Sequence, residues 1–329
     1  MKLVALASVL SLALACSSRS GPESSGGTPV PGSSLEVSGP YTLGHLSLFL
    51  VEDPKAAAGE EMITLSEGLG SGAVRVTEKA SAQVRELLIE NQSDKACFVQ
   101  AGDVVKGGQQ DRAIGRDFVL PPHTAPTPVS SFCVEHNRWT GGKAFKACPQ
   151  NAYGNGIKLA IQQKGNQQEV WDTVAKQKAD VRANANLGGN ATSSLNEELE
   201  DPTIKEKLHA IQKEMGSLLA QRPHAIGLVT ALNGKLVASD VYGDPGLFRK
   251  LYPRLLDSAA MTALATKASP APAPTMDAAA RFLSAADQGT SKEEEVRKDL
   301  KMRTCENEKG VEFDYSWQGR RIHCQALQY

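Results

Sequence analysis

Apolar residues in this chain follow two different periods, and the switch between them limits the possible folds more than any single motif does. Leu46, Leu48 and Leu50 alternate with His45, Ser47 and Phe49 until Asp53-Pro54 stops the run. An apolar residue at every second position marks a strand with a buried face, and the unbroken stretch Phe49, Leu50, Val51 predicts burial on both faces at its end. Segments 73–77, 84–90, 96–99, 113–120 and 128–135 read the same way, with Asn91, Gln92, Ser93 and Asp94 as a turn between two of them. From Gln167 to Ala183 the period changes, and Val170, Trp171, Val174 and Ala175 recur at helical spacing. Ile204, Leu208, Ile211, Met215, Leu218 and Leu219 repeat it after Asp201 as N-cap and Pro202 as first helical residue. Residues 226–232 and 235–242 flank Asn233-Gly234, a pair that accepts the positive φ both central positions of a tight hairpin require. Asp244-Pro245 opens a further helix carrying Leu247, Phe248 and Leu251, which Pro253 is expected to interrupt and restart for Leu255, Leu256 and Ala259. The order predicts an α+β fold, with an antiparallel sheet or sandwich in the N-terminal half and helices and a β-hairpin in the C-terminal half.

That main domain is expected over 40–266. An extended Pro/Ala linker, 267–274, separates it from a small helix-plus-strands extension, 275–329. The extension reads as a helix from Thr275, a second helix from Ser291 with Glu294 completing a capping box, and three short strands over 303–328.

The N-terminus is an address. Lys2 precedes a run of small and aliphatic residues over 3–15, too short for a span of about 20 residues. Leu12-Ala13-Leu14-Ala15-Cys16 resembles a bacterial lipoprotein signal, which predicts a signal peptide over 1–15 and a lipidated Cys16. An ordinary secretory signal, with Ala13 and Ala15 as the cleavage pair, is the alternative. Ser, Gly and Pro dominate the following residues, so 16–39 reads as anchor and tether, placing the folded body about 25 Å from the membrane on random-coil scaling. The chain is thus expected to be exported, lipid-anchored to the cell envelope, and in contact with a membrane through that lipid.

A formal net charge of −1 and the lack of a Lys/Arg stripe argue against a nucleic-acid partner held by phosphate neutralisation. Six cysteines matter more in an oxidising setting. With Cys16 lipidated, Cys305 and Cys324 are candidates for one disulfide on neighbouring strands, Cys133 and Cys148 for another across a turn, and Cys97 is left as a buried thiol. Spacing does not fix the connectivity.

Two segments carry candidate chemistry. In 101–112, Gly107 and Gly108 let backbone amides approach an anion, Lys106 and Arg112 supply charge, and Gln109 and Gln110 directional hydrogen bonds. The spacing is neither a P-loop nor a dinucleotide fingerprint, and a polar hairpin whose glycines serve only positive φ is the plain reading. In 132–139, Cys133 and Glu135 share one face of a strand while His136 points away, so adjacency implies no Cys-His nucleophile. Glu135 is the first candidate for acid/base work, and Arg138 a candidate ligand contact. Cys133, His136, Cys148 and His123 match no common zinc spacing, so no metal is assigned, and nothing calls for a cofactor.

Gly102, the run Lys106-Gly107-Gly108-Gln109-Gln110-Asp111-Arg112, Pro128-Val129, Cys133-Val134-Glu135 and Arg138-Trp139 together resemble the ARG and rhodanese-phosphatase-superfamily-associated protein domain family. Thr192-Ser193-Ser194-Leu195, and Asn233-Gly234 followed by Asp240 and Tyr242-Gly243, extend the likeness over roughly 38–266. Where that family shows a Gly-Gly-Lys-Gln-Asn-Arg-like loop, this chain has Gln109 for the Lys and Asp111 for the Asn. The resemblance implies an association with ADP-ribose and nucleotide-derivative systems. It leads to the expectation of a small polar or phosphorylated ligand, bound and in one version processed; the alternatives are a non-catalytic envelope module with an unnamed protein partner, and thiol chemistry at Cys133.

Overall fold

The structure is a computed structural model that describes residues 27–79, 85–136, 142, 144–188, 194–195, 199–269, 271–285 and 288–329. Cys16, the signal, Arg138, Trp139, Thr192 and Ser193 therefore lie outside the described residues. The first strands are β1 (Thr28–Pro29), β2 (Glu36–Leu43), β3 (Leu46–Glu52), β4 (Ile63–Thr64), β5 (Val74–Glu78), β6 (Glu86–Asn91) and β7 (Cys97–Val99). Next come β8 (Asp103–Gly107), β9 (Arg112–Ile114), β10 (Phe118–Leu120), β11 (Thr124–Cys133) and β12 (Phe145–Asn151). The last are β13 (Ala225–Leu232), β14 (Lys235–Tyr242), β15 (Thr290–Arg297), β16 (Leu300–Asn307), β17 (Gly310–Trp317) and β18 (Arg320–Gln328). The helices are α1 (Leu65–Ser71), α2 (Asn155–Leu159) running into a π turn (Ala160–Lys164), α3 (Gln167–Ala185), α4 (Pro202–Met215), α5 (Pro245–Ala265) and α6 (Met276–Ala285).

The fold is α+β. A nine-stranded antiparallel sheet in the order β1-β2-β3-β13-β14-β18-β17-β16-β15 forms its spine. Its β13–β14 hairpin turns on Asn233 and Gly234, both at positive φ, as the sequence predicts. Leu46, Leu48 and Leu50 of β3 and Leu228 of β13 join Leu247, Phe248, Leu251 and Leu255 of α5 in one core. The alternate residues Phe49, Val51 and Val229 pack with Ala279 and Ala280 of α6. Burying a side chain such as Leu251 contributes about 1.5–3 kcal/mol, so both faces of the central strands are held.

A six-stranded sheet, β12-β8-β9-β11-β6-β5, lies beside this spine, and the bridge between Thr77 and Ala144 brings its two ends together. Val104, Ala113 and Phe132 from this sheet, with Val134 just past its β11, bury against Val170 and Val174 of α3 and Ile204 and Leu208 of α4. Helix α3 begins at Gln167, where the helical spacing starts, with Asn166 as its cap, and α4 begins on Asp201-Pro202 as the sequence predicts. A small sheet, β10-β7-β4, adds Phe98, Val99 and Val119 to the core shared with β3 and β13.

Several expectations change. The tether was expected to reach Gly39, but Val30 and Val37 are buried and β1 and β2 extend the large sheet. One apolar side chain per few polar residues suffices there, because the neighbouring strand provides the rest of the contact. Pro253 sits inside the continuous helix α5 instead of restarting it. The expected helix from Ser291 is strand β15, paired residue by residue with β16. The C-terminal extension continues the main sheet, since β18 pairs with β14 from Ala238–Leu327 to Tyr242–His323.

The cysteine pairings fail on register. Cys305 faces Glu312, while Cys324 faces Asp314, so β17 lies between the two. Two inter-strand spacings of about 4.8 Å put their Cα atoms beyond the roughly 7 Å a disulfide can span. Cys133 on β11 and Cys148 on β12 are separated by β9 and β8. Cys97, Cys133, Cys148, Cys305 and Cys324 are buried thiols, and none is in a disulfide.

Candidate functional site

The segment read as a glycine-rich loop is a hairpin. β8 and β9 pair through Val104–Ala113 and Val105–Arg112, and Gly107 and Gly108 both take positive φ. A Cβ on Gly108 would stand 2.2 Å from Phe145 Cζ and 2.8 Å from Glu78 Oε1, so the turn lies directly against β5 and β12.

Backbone amides at this turn do face acceptors, and the acceptors are the protein's own carboxylates. Gly107 N donates to Asp111 Oδ1 at 2.8 Å, and Gln109 N donates to Glu78 Oε1 at 3.2 Å. Arg112, fully buried, crosses from β9 to pair with Glu78 at 3.3 Å through Nη2, and donates from Nη1 to the Gln110 carbonyl. Such a pair gains strength in a low-dielectric interior and offsets the cost of burying both charges only if the remaining lone pairs and protons are satisfied. Here they are not: Glu78 Oε2, Arg112 Nε and Gln109 Oε1 are buried without a hydrogen-bond partner among the described residues.

The second segment meets the first. Asp111 N donates to Glu135 Oε2 at 3.3 Å, and Ser194 Oγ donates to Asp111 Oδ2 at 3.3 Å. Lys178, buried on α3, donates to the Ser194 carbonyl at 2.7 Å. Gln167 clamps the end of β11, accepting from Cys133 N and donating to Cys133 O, both at 2.8 Å. The cluster thus gathers Glu78, Asp111, Arg112, Glu135, Lys178 and Ser194 from five separate stretches of sequence. Lys106 lies at the rim, where its hydrogen bond to Glu200 raises its pKa, and Gln110 is buried within the turn. Burial pushes the Cys133 thiol up to about 11, against the pull of Arg112 and with smaller help from Glu78 and Glu135, so the sulfur stays protonated and is a poor nucleophile. His136 is exposed and meets Trp171 edge-on at 4.5 Å. Among the described residues, no group of three or more His, Cys, Asp and Glu side chains is placed to hold a metal ion.

Sequence reasoning missed a second polar cluster. His323 on β18 lies between two carboxylates, Nδ1 at 2.7 Å from Asp117 Oδ2 and Nε2 at 3.1 Å from Asp240 Oδ1. Tyr242 stacks on its ring at 4.4 Å and accepts from Gln100 Nε2. Gln325 donates to Asp240, Asp117 accepts from Ala101 N, and Arg254 pairs with Asp103 at 2.9 Å. Burial alone would lower the His323 pKa, but Asp117 and Asp240 raise it to about 9. The signal in the sequence was His323 and Gln325 alternating with Ile322, Cys324 and Ala326 on one strand, together with Asp240 and Tyr242.

Fold and site together define an α+β protein with a closed hairpin site next to a spine sheet that ties in its C-terminal strands. The ARG and Rhodanese-Phosphatase-superfamily-associated Protein domain matches residues 34–327, and the chain belongs to that family. The match runs through β18, beyond the 266 at which the motif resemblance stopped. No curated protein and no solved structure matches the chain. No helix among the described residues is long and apolar enough to cross a membrane.

Proposed function

We propose that this chain binds a small polar ligand of the ADP-ribose-like nucleotide class at the β8–β9 hairpin, from an envelope position held by a lipid on Cys16. The observation that carries the reading is the meeting of the 107–112 turn with Glu78, Glu135 and Ser194 around buried polar atoms that lack partners. Three carboxylates against two buried cations make the cluster rich in acceptors. Such a site suits the hydroxyl groups of a ribose, while a phosphate finds its charge at the rim, on Lys106. Glu135, which accepts from Asp111 N, is our candidate for proton transfer if the ligand is turned over.

The test is thermal unfolding of the full chain with ADP-ribose, ADP, AMP and ribose 5-phosphate, followed by product analysis. A ligand present at about 100 times its Kd stabilises by about 2.7 kcal/mol, and Glu135→Gln or Lys106→Ala is expected to cut that response. No response across the panel, or equal responses in the variants, overturns the reading. Binding without turnover assigns a binding module rather than an enzyme. Mass spectrometry of the mature N-terminus tests the anchor, and a Cys16 without acyl chains removes it.

A further inference from the structure

We propose that a cavity remote in sequence from the hairpin segment binds a small zwitterion with an apolar body, the chemistry of an apolar amino acid or dipeptide. The cavity has a volume of about 440 Å³ and lies between loop 57–62, the start of α5 and the β17–β18 turn. Small-molecule sites fall in the range of about 300–1,000 Å³ and combine an apolar lining with a few placed polar groups. Met62, Leu247, Trp317 and Ile322 supply the apolar lining.

Four charged side chains line the same cavity, and two are already engaged. Arg321 holds Asp314 through two hydrogen bonds, at 3.0 and 2.7 Å. Asp244 caps α5, accepting from Leu247 N at 2.7 Å, and also accepts from Gly59 N. Arg320 and Glu60 are different: neither side chain makes a hydrogen bond or ion pair with any described residue. One comes from the β17–β18 turn and the other from loop 57–62, so a cation and a carboxylate stand on two walls of one cavity that also has an apolar patch. A ligand carrying a carboxylate for Arg320, an ammonium for Glu60 and an apolar side chain for Trp317 satisfies all three.

Isothermal titration of the full chain with L-leucine and with the dipeptide Phe-Leu tests this, alongside N-acetyl-Phe-Leu and Phe-Leu amide. A zwitterion is expected to bind, and blocking either end is expected to cost about tenfold or more, the worth of one charge-assisted hydrogen bond. Arg320→Ala is expected to weaken the free acid and leave the amide unchanged; Glu60→Gln is expected to weaken the free amine and leave the acetylated form unchanged. Leucine binding more tightly than Phe-Leu assigns an amino-acid site, and the reverse a peptide site. Neither compound binding at about 10 mM, where a Kd of about 1 mM still registers, overturns the proposal, as does an affinity that both variants leave unmoved. Arg320 and Glu60 are exposed, so both variants are expected to fold. The ADP-ribose response at the hairpin site is read separately and is expected to be the same in both.

Discussion

Raising the pH through 9 is expected to remove a defined share of this protein's stability, and His323 is the group that sets it. The imidazolium donates to Asp117 at 2.7 Å and to Asp240 at 3.1 Å in a site that is 1 % exposed. Its pKa rises from 6.5 to about 9. A folded-state pKa above the unfolded value gives stability that is fully present below 6.5 and is lost as pH rises through 9. At about 1.4 kcal/mol per pH unit, the whole effect is about 3 kcal/mol. Asp240 is drawn down to about 2 against its burial, by Lys158 and then His323, so it stays ionised throughout this window. The same contact moves both groups, and the two shifts are not added. Burial holds the Tyr242 hydroxyl, which stacks on His323, well above its ordinary value of 10, so it does not titrate between 6.5 and 9.

Urea unfolding of the wild type and of His323→Asn at pH 6, 7.5, 9 and 10 measures this. The variant leaves Asp117 and Asp240 buried without a cation between them, as the wild type does once its imidazole is neutral. The stability difference is therefore expected to be about 3 kcal/mol at pH 6, to shrink between pH 7 and 9, and to close near pH 10. An equal difference at pH 6 and pH 10 would show that His323 acts by packing alone and would refute the ion-pair argument.

Gly108→Ala places a Cβ 2.2 Å from Phe145 Cζ at a φ of 56°, and is expected to cost about 1–3 kcal/mol in urea unfolding and to weaken any ligand response at the hairpin. Alkylation with iodoacetamide at pH 8 is expected to leave Cys133 and Cys97 unmodified in the folded chain and to modify both after denaturation, because burial raises both thiols, Cys133 to about 11. Native-state labelling of Cys133 would revive thiol chemistry there. A chain ending at residue 266 is expected to give no cooperative unfolding transition, since it loses β18 from the edge of β14 and His323 from between Asp117 and Asp240. Glu67→Ala is expected to cost about 1 kcal/mol by breaking the capping box in which Thr64 and Glu67 cap each other's backbone at the start of α1.

What the sequence made legible was local. Asn233-Gly234 specified its hairpin because the turn's backbone demands sit within two residues, and Asp201-Pro202 began α4 because a cap and a first-turn proline act within one turn. Ser291 and Glu294 carried an equally local helix signal, and it lost. Pairing with β16 along the whole segment, with Lys301 bonded to Glu293 and Arg116 to Glu294 across elements, outweighs a cap and a few favourable propensities. The thiols failed for the same reason, since Cys305 and Cys324 are close in sequence but the register inserts β17 between them. The hairpin site was half legible: its glycines and Glu135 announce themselves, while Glu78 and Lys178 arrive from β5 and α3 with no spacing that links them to residues 107–112.

That missing half changes the chemistry of the site. Read from 107–112 alone, two glycines between Lys106 and Arg112 describe an anion cradle. With Glu78 and Asp111 in place, the amides of Gln109 and Gly107 and one amino group of Arg112 are already matched to carboxylates. An incoming phosphate must therefore displace a buried carboxylate from its donors or bind at the rim, whereas a hydroxyl meets acceptors where they stand. A ligand panel that separates ribose hydroxyls from phosphates consequently reads the site's partners more directly than the glycine motif does, and a response confined to phosphate-bearing compounds without a sugar would place recognition on Lys106 and the rim instead of inside the cluster.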